Sequence, residues 1–322
     1  MIARLQRWLL VGQLLLGVVL AAWLAGAGHA SVPVALLVGV LAPLALHAAL
    51  LTVDFALAWS ARGERPAGEP RTGFARALGA WLVAYVREIA DSTRTFSWAQ
   101  PMLAARPFPG GTVVAERLPV LLVHGYFCNR ALWHPMAARL VAAGHAVEAL
   151  DLEPPFASID DYASRIAAAV DALRARTGAE RVALVAHSMG GLAARAYLRA
   201  HGDDAVACVV TLGTPHRGTV HARFGRGRNV RQMRRDSPWL QALAAEEPRE
   251  RLEKFTVVLS WQDNIVAPHA IQTLPGARTV VLHGLGHLTL AYDARVAGIV
   301  LEALAAAETG RTAREATPGE VG

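Results

Sequence analysis

A chain of 322 residues, 53% of them hydrophobic, has ample material for one large α/β domain with additions or for two modest domains. Its mean hydropathy of +0.30 is high for a soluble enzyme and assigns part of the apolar content to lipid rather than to a protein interior. The formal charge of +6 and pI near 10.0 come almost wholly from arginine, Lys254 being the only lysine, and we read this as attraction to anionic membrane superimposed on a composition habit. Cys128 and Cys208 stand at neither a disulfide-framework nor a metal-ligand spacing, so both read as buried free thiols.

Leu9 to Ala27 is apolar except for Gln13, and Val32 to Trp59 is apolar except for His47 and Asp54, with Pro33 and Pro43 as interruptions. Each run is long enough for the roughly 20 residues that cross a hydrocarbon core. Between them AGAGHAS, Ala25 to Ser31, reads as a turn. Arg4 and Arg7 ahead of the first run, and the small residues around His29, also fit a secretory signal with a cleavage site. Arg62, Arg65, Arg71 and Arg76 follow the second run as the positive-inside tendency requires. The expectation is therefore a transmembrane helical hairpin over residues 1–60 with the rest of the chain in the cytoplasm, and export after signal cleavage is the alternative.

Residues 61–112 divide into a linker and a helix. Ala61 to Arg71 is rich in Gly, Pro and charge, and FARALGAWLVAYVREI then places Phe74, Leu78, Trp81, Leu82, Tyr85 and Ile89 on one face at helical spacing. That face is expected to pack on the main domain. Over residues 113–308 the pattern becomes strand, loop, helix, repeated. The runs Leu118 to Val123, Ala146 to Leu152, Arg181 to Ala186, Ala205 to Gly213, Phe255 to Ser260 and Arg278 to Leu282 are short and β-branched. Amphipathic helices such as Ile159 to Arg176 lie between most of them, and this alternation predicts an α/β fold with a mostly parallel sheet covered on both faces. Residues 309–322, TGRTAREATPGEVG, read as a disordered tail.

In such a sheet, reactive groups gather at the carboxyl ends of strands. VAHSMGG places Ser188 directly after one strand and before a helix-compatible segment, which is the context of a nucleophile elbow with Ala186 at the first small position. A serine hydroxyl needs a positioned base, and the base needs an orienting carboxylate. Asp263 follows the strand FTVVLS, and His283 and His287 follow the last strand. His287 is preferred, because Gly286 beside it suits a loop tip that reaches across to the elbow. The oxyanion formed on attack needs backbone donors worth about 3 kcal/mol each, and the N–H groups of Tyr126, in HGYFCNRALW, and of Met189 are the candidates.

Taken in order, the strand-HGY loop, the AHSMGG elbow, GTPHRG at Gly213 to Gly218, DNIVAP after the acid strand and GLGH before the last helix resemble the α/β-hydrolase superfamily, and within it bacterial lipases and esterases. The resemblance runs from about Pro119 to the final helix and leaves the N-terminal third uncovered. It implies a carboxylic ester hydrolase with Ser188, His287 and Asp263 as triad, no cofactor, a lipid or other acyl ester as substrate, and a lid or cap near residues 216–250. With the bacterial setting it implies, the hairpin read from hydropathy is expected in an inner membrane. Thioester cleavage, acyl transfer and a non-catalytic binding module on the same fold remain as alternatives. The cap segment carries Arg217, Arg223, Arg226, Arg228, Arg231, Arg234 and Arg235 with only Phe224 and Trp239 as nearby aromatics, which argues against nucleic acid and leaves a solvated face or contact with anionic headgroups or an acidic substrate. Neither a phosphate loop nor a metal-ligand set is visible; some relatives carry structural calcium, for which no ligands are assigned.

Overall fold

The computed structural model describes residues 1–61, 63 and 74–310. Most of the expected linker and the expected tail beyond Gly310 lie outside the described residues.

The six β-branched runs form six parallel strands: β1 (Val120–Val123), β2 (Val147–Leu150), β3 (Val182–His187), β4 (Val206–Leu212), β5 (Phe255–Ser260) and β6 (Arg278–Leu282), in the order β2-β1-β3-β4-β5-β6. Their side chains alternate between two cores because successive residues of a strand point to opposite faces. Leu121, Val123, Leu184 and Ala186 face one side, while Val120, Leu122, Ala183 and Val185 face the other.

The helices that cover these faces are α4 (His134–Ala142), α5 (Ala163–Thr177), α6 (Met189–His201) and α10 (Ala294–Glu308). α5 and α6 lie over the first face, α4 and α10 over the second. Asp160 and Asp161 sit in a 3-10 turn just ahead of α5, and Gly178 ends that helix in the left-handed region at φ 72°.

The apolar runs form α1 (Ile2–Gly26) and α2 (Val32–Ala61), with mean hydropathies of 2.2 and 2.4, long and apolar enough to cross a membrane. They cross at two glycines so closely that a Cβ at Gly17 would lie 2.4 Å from the carbonyl oxygen of Gly39. α3 (Phe74–Arg94) is the expected amphipathic helix, extended through a π-turn at Thr95–Ala99 into Gln100–Leu103. It joins the hairpin to the sheet domain. Trp81 packs edge-on against Phe55 and Trp59 of α2, and Tyr85 donates to the Ala48 carbonyl at 3.0 Å. Gln6 of α1 donates to Gln100 at 2.9 Å and to the Phe127 carbonyl at 3.2 Å, and Arg7 donates to the Pro101 carbonyl at 2.6 Å.

Between β4 and β5 the chain folds into α7 (Arg228–Gln232), α8 (Pro238–Ala245) and α9 (Arg249–Leu252). Val230, Leu240, Leu243 and Leu252 bury themselves in the core on the α6 side. Arg195 of α6 holds both ends of this excursion, donating to the Glu247 carboxylate in a buried bidentate pair and to the His216 carbonyl at 3.1 Å. Glu247→Ala leaves that guanidinium buried without its counter-charge, and equilibrium denaturation of the full chain should register a loss of about 3–5 kcal/mol.

Candidate active site

Ser188 stands between the end of β3 and the first residue of α6 with φ 55° and ψ −129°, a conformation costly for a residue with a side chain. Surrounding bonds hold it there. Its N–H donates to the Leu212 carbonyl at 2.8 Å, and its carbonyl accepts from the Thr214 hydroxyl at 2.9 Å. Gly190 lets the start of α6 slide under β1, since a Cβ there would meet the Val123 oxygen at 2.4 Å.

The turn after β1 comes equally near, for a Cβ on Gly125 would lie 3.3 Å from Ser188 Oγ. His124 shapes this turn. Its Nε2 accepts from the Leu152 N–H at 3.0 Å, which leaves the proton on Nδ1, 2.9 Å from the Gly125 carbonyl. Tyr126 follows and lines the same cavity as Ser188, while its hydroxyl donates to the Arg226 carbonyl at 3.0 Å. Met189 opens α6, where the N–H groups of the first turn have no intrahelical acceptor.

Across the cavity, Asp263 Oδ2 and His287 Nδ1 are 2.8 Å apart, and both residues are buried. Asp263 spends its other oxygen on the N–H groups of Ile265 and Val266, each at 2.8 Å. Burial raises the Asp263 carboxyl, but the charge and hydrogen bond of His287 outweigh it and hold the carboxyl below its usual range. Burial likewise works against charge on His287, and the charge and hydrogen bond of Asp263 carry the imidazole above its ordinary value. His283, the other candidate, is exposed and contributes its carbonyl to Arg295 at 3.4 Å. Ser188, Tyr126 and His287 thus line one cavity with Asp263 behind the imidazole, while Met189 adjoins Ser188 at its base.

Three further residues fix the histidine loop. Asn264 Oδ1 accepts the His287 N–H at 2.9 Å, and His187 donates to the His287 carbonyl at 2.9 Å. Burial, followed by the charge of His287, pushes His187 down to about 3, so its ring stays neutral. Glu88 arrives from α3. Its carboxylate accepts the N–H of Leu288 at 2.9 Å and the N–H and hydroxyl of Thr289 at 3.0 Å each. Burial pushes this carboxyl up to about 7 against those donors and the charge of His287. Gly286 makes the approach possible, because a Cβ there would lie 2.4 Å from Glu88 Oε2.

Sequence reasoning did not find Glu88. The signal was a charged residue at Trp81+7 and Tyr85+3, on the helix face otherwise read as apolar. No residue of 216–250 lines the cavity, whose roof is built by α1, α2 and α3. Val230, Leu240 and Leu243 of that segment are buried in the core on the α6 side. Cys128 and Cys208 are buried free thiols, each pushed up to about 12 by burial. Among the described residues no group of three or more His, Cys, Asp or Glu could hold a metal ion.

Residues 119–246 match the family model for the alpha/beta hydrolase fold. This domain has the α/β-hydrolase fold. This domain is similar to a triacylglycerol lipase of Burkholderia plantarii, with 37% identity over 159 residues, 47% of this chain and 42% of that protein. A triacylglycerol lipase of Pseudarthrobacter phenanthrenivorans is 39% identical over 122 residues, 35% of this chain and 38% of that protein. The chain thus spans about two fifths of the length of these curated relatives. Among solved structures, the mature form of Bacillus licheniformis lipase BlEst2 superposes with a TM-score of 0.53 at 19% identity, covering 61% of this chain and 95% of that one. Aspergillus fumigatus lipase B gives 0.51 at 17% identity, covering 62% and 55%. Likeness at such identities speaks to fold alone. α1, α2 and Glu88 all precede the matched residues.

Because burial raises the Glu88 carboxyl to about 7 from an ordinary value near ~4.3, the stability it adds is full below ~4.3 and is lost as the pH rises through about 7. The stability advantage of the wild-type protein over Glu88→Gln should therefore shrink across that window in denaturation curves taken at several pH values. A difference that grows with pH would contradict this.

Proposed function

We propose that this chain is a membrane-anchored serine hydrolase that cleaves carboxylic esters of lipid character. The observation that carries the reading is the 2.8 Å Asp263–His287 hydrogen bond, set in the same cavity as a serine held in a strained strand-to-helix turn. His287 takes the proton of Ser188 as the hydroxyl attacks the ester carbonyl, and Asp263 stabilises the imidazolium that results. The N–H groups of Tyr126 and Met189 receive the oxyanion. Collapse expels the alcohol, which takes its proton from His287; water, activated by the same base, then releases the acid from Ser188. Similarity to triacylglycerol lipases favours acylglycerol esters as substrates. The apolar cavity walls agree.

The two long apolar helices serve as the anchor. Retention of α1 is supported by the bonds from Gln6 and Arg7 to the rest of the chain. Arg4 and Arg7 in the first turns of α1, and Arg62, Arg65 and Arg71 after α2 in the sequence, flank the apolar runs, so the positive-inside tendency favours a cytoplasmic catalytic domain.

Ser188→Ala should abolish labelling by a fluorophosphonate and lower hydrolysis of p-nitrophenyl esters by about 10⁶-fold, while Asp263→Asn should cost about 10⁴-fold. A wild-type protein that folds yet neither labels nor hydrolyses any ester would sink the reading. The base must be neutral to act, and His287 is held above the ordinary histidine value near ~6.5. The acid limb of kcat/KM should therefore have its midpoint above that value, and in Asp263→Asn the residual activity should show it at lower pH, since burial then acts unopposed.

A further inference from the structure

The cavity over Ser188 encloses about 570 Å³, within the range of roughly 300–1,000 Å³ that small-molecule sites occupy. More of its lining comes from the hairpin than from any other element. Around Ser188 and His287 the lining is mixed: Gln6, His47, Asp54 and Glu88 bring polar groups, and Leu50, Leu51, Phe127 and Leu288 bring apolar ones. Higher up, Leu10 and Leu14 of α1 oppose Val40 and Leu44 of α2, and Gln13 is the single polar residue on the two helices at that level. Between Asp54 and Val40 the α2 wall runs for about 20 Å at roughly 1.5 Å per residue. Just above, the Gly17–Gly39 crossing leaves no space between the helices, since a Cβ at Gly39 would lie 2.5 Å from the Gly17 oxygen. The space therefore carries its polar groups near the serine, turns apolar toward the crossing and is stopped there by the two glycines.

The same helices expose large apolar residues away from the cavity, such as Trp8, Leu16, Val18 and Leu36, and also along its lining, where Leu14 and Val40 are 58% and 75% exposed, so the upper part of the cleft is open sideways to its surroundings. The sides away from the cavity suit lipid, and the inner walls suit a single aliphatic chain. We propose that α1 and α2, besides anchoring the protein, form its acyl-chain site: the ester lies at Ser188 and the chain of a membrane-resident long-chain ester runs up between the helices to the glycine crossing. This rests on the hydrolase reading of Ser188. It assigns chain-length selection to the hairpin rather than to the 216–250 segment.

Filling the far end tests it. In Leu14→Trp and Val40→Trp the ratio of kcat/KM for a long-chain p-nitrophenyl ester to that for the acetyl ester should fall tenfold or more, whereas Leu16→Trp, on the outer side of α1, should keep the wild-type ratio. An unchanged ratio in both lining variants overturns the assignment. A second measurement needs no substitution. Full-length wild-type protein in a bilayer is labelled with a long-chain alkyl fluorophosphonate bearing a terminal diazirine, photolysed and mapped by peptide mass spectrometry. Cross-links on α1 between Leu9 and Leu14 or on α2 between Val40 and Leu44 are expected. Labelling of Ser188 with cross-links confined to other segments defeats the chain site and leaves the hydrolase reading standing, whereas absence of labelling defeats both.

Discussion

The buried carboxylate–imidazole pair of Asp263 and His287 is the constraint on which the rest of the hydrolase domain depends. Taken singly, each group would be driven neutral by its surroundings; together each makes the charged form of the other tolerable. The pair works only if one carboxylate oxygen is already committed and the imidazole is held by its backbone. The Ile265 and Val266 amides perform the first task, and Asn264, His187 and Glu88 share the second. These groups come from four places in the chain, and the parallel order of the sheet is what brings β3, β5 and the β6–α10 loop to one end.

α3 extends that arrangement to the apolar hairpin of α1 and α2. One stretch of the helix offers Trp81 and Tyr85 to α2, and the next turn offers Glu88 to the loop that carries His287. A movement of the hairpin against the domain would therefore be felt at the base of the site through a single rigid helix. The π-turn at Thr95–Ala99 lies where this helix borders the cavity, through Phe96 and Ser97, a common position for such an irregularity.

Much of this was legible in the sequence. The six strands fall within or nearly within the β-branched runs, because a strand buried on both faces has no polar alternation to blur its limits. That Asp263 and His287 would meet beside Ser188 was legible because each follows a strand end, and Gly286 singled out the histidine that Asp263 bonds. Glu88 was not, since a carboxylate on a helical face reads as solvated unless the partner N–H groups, 200 positions away, are known to be there. The surface that the 216–250 segment covers was not legible for a related reason. Length and an arginine-rich composition identify an excursion from the sheet, but they do not say which surface it covers.

By itself, then, the sequence determined local periodicity, the small residues that permit tight approaches and the chemical types at strand ends, since these depend on neighbours in the chain. Tertiary structure alone decided that the apolar hairpin roofs the serine and that α3 buttresses the histidine loop. Those outcomes depend on which hydrophobic faces find each other across the molecule, and an apolar helix carries no mark that separates a side meant for lipid from a side meant for a cavity.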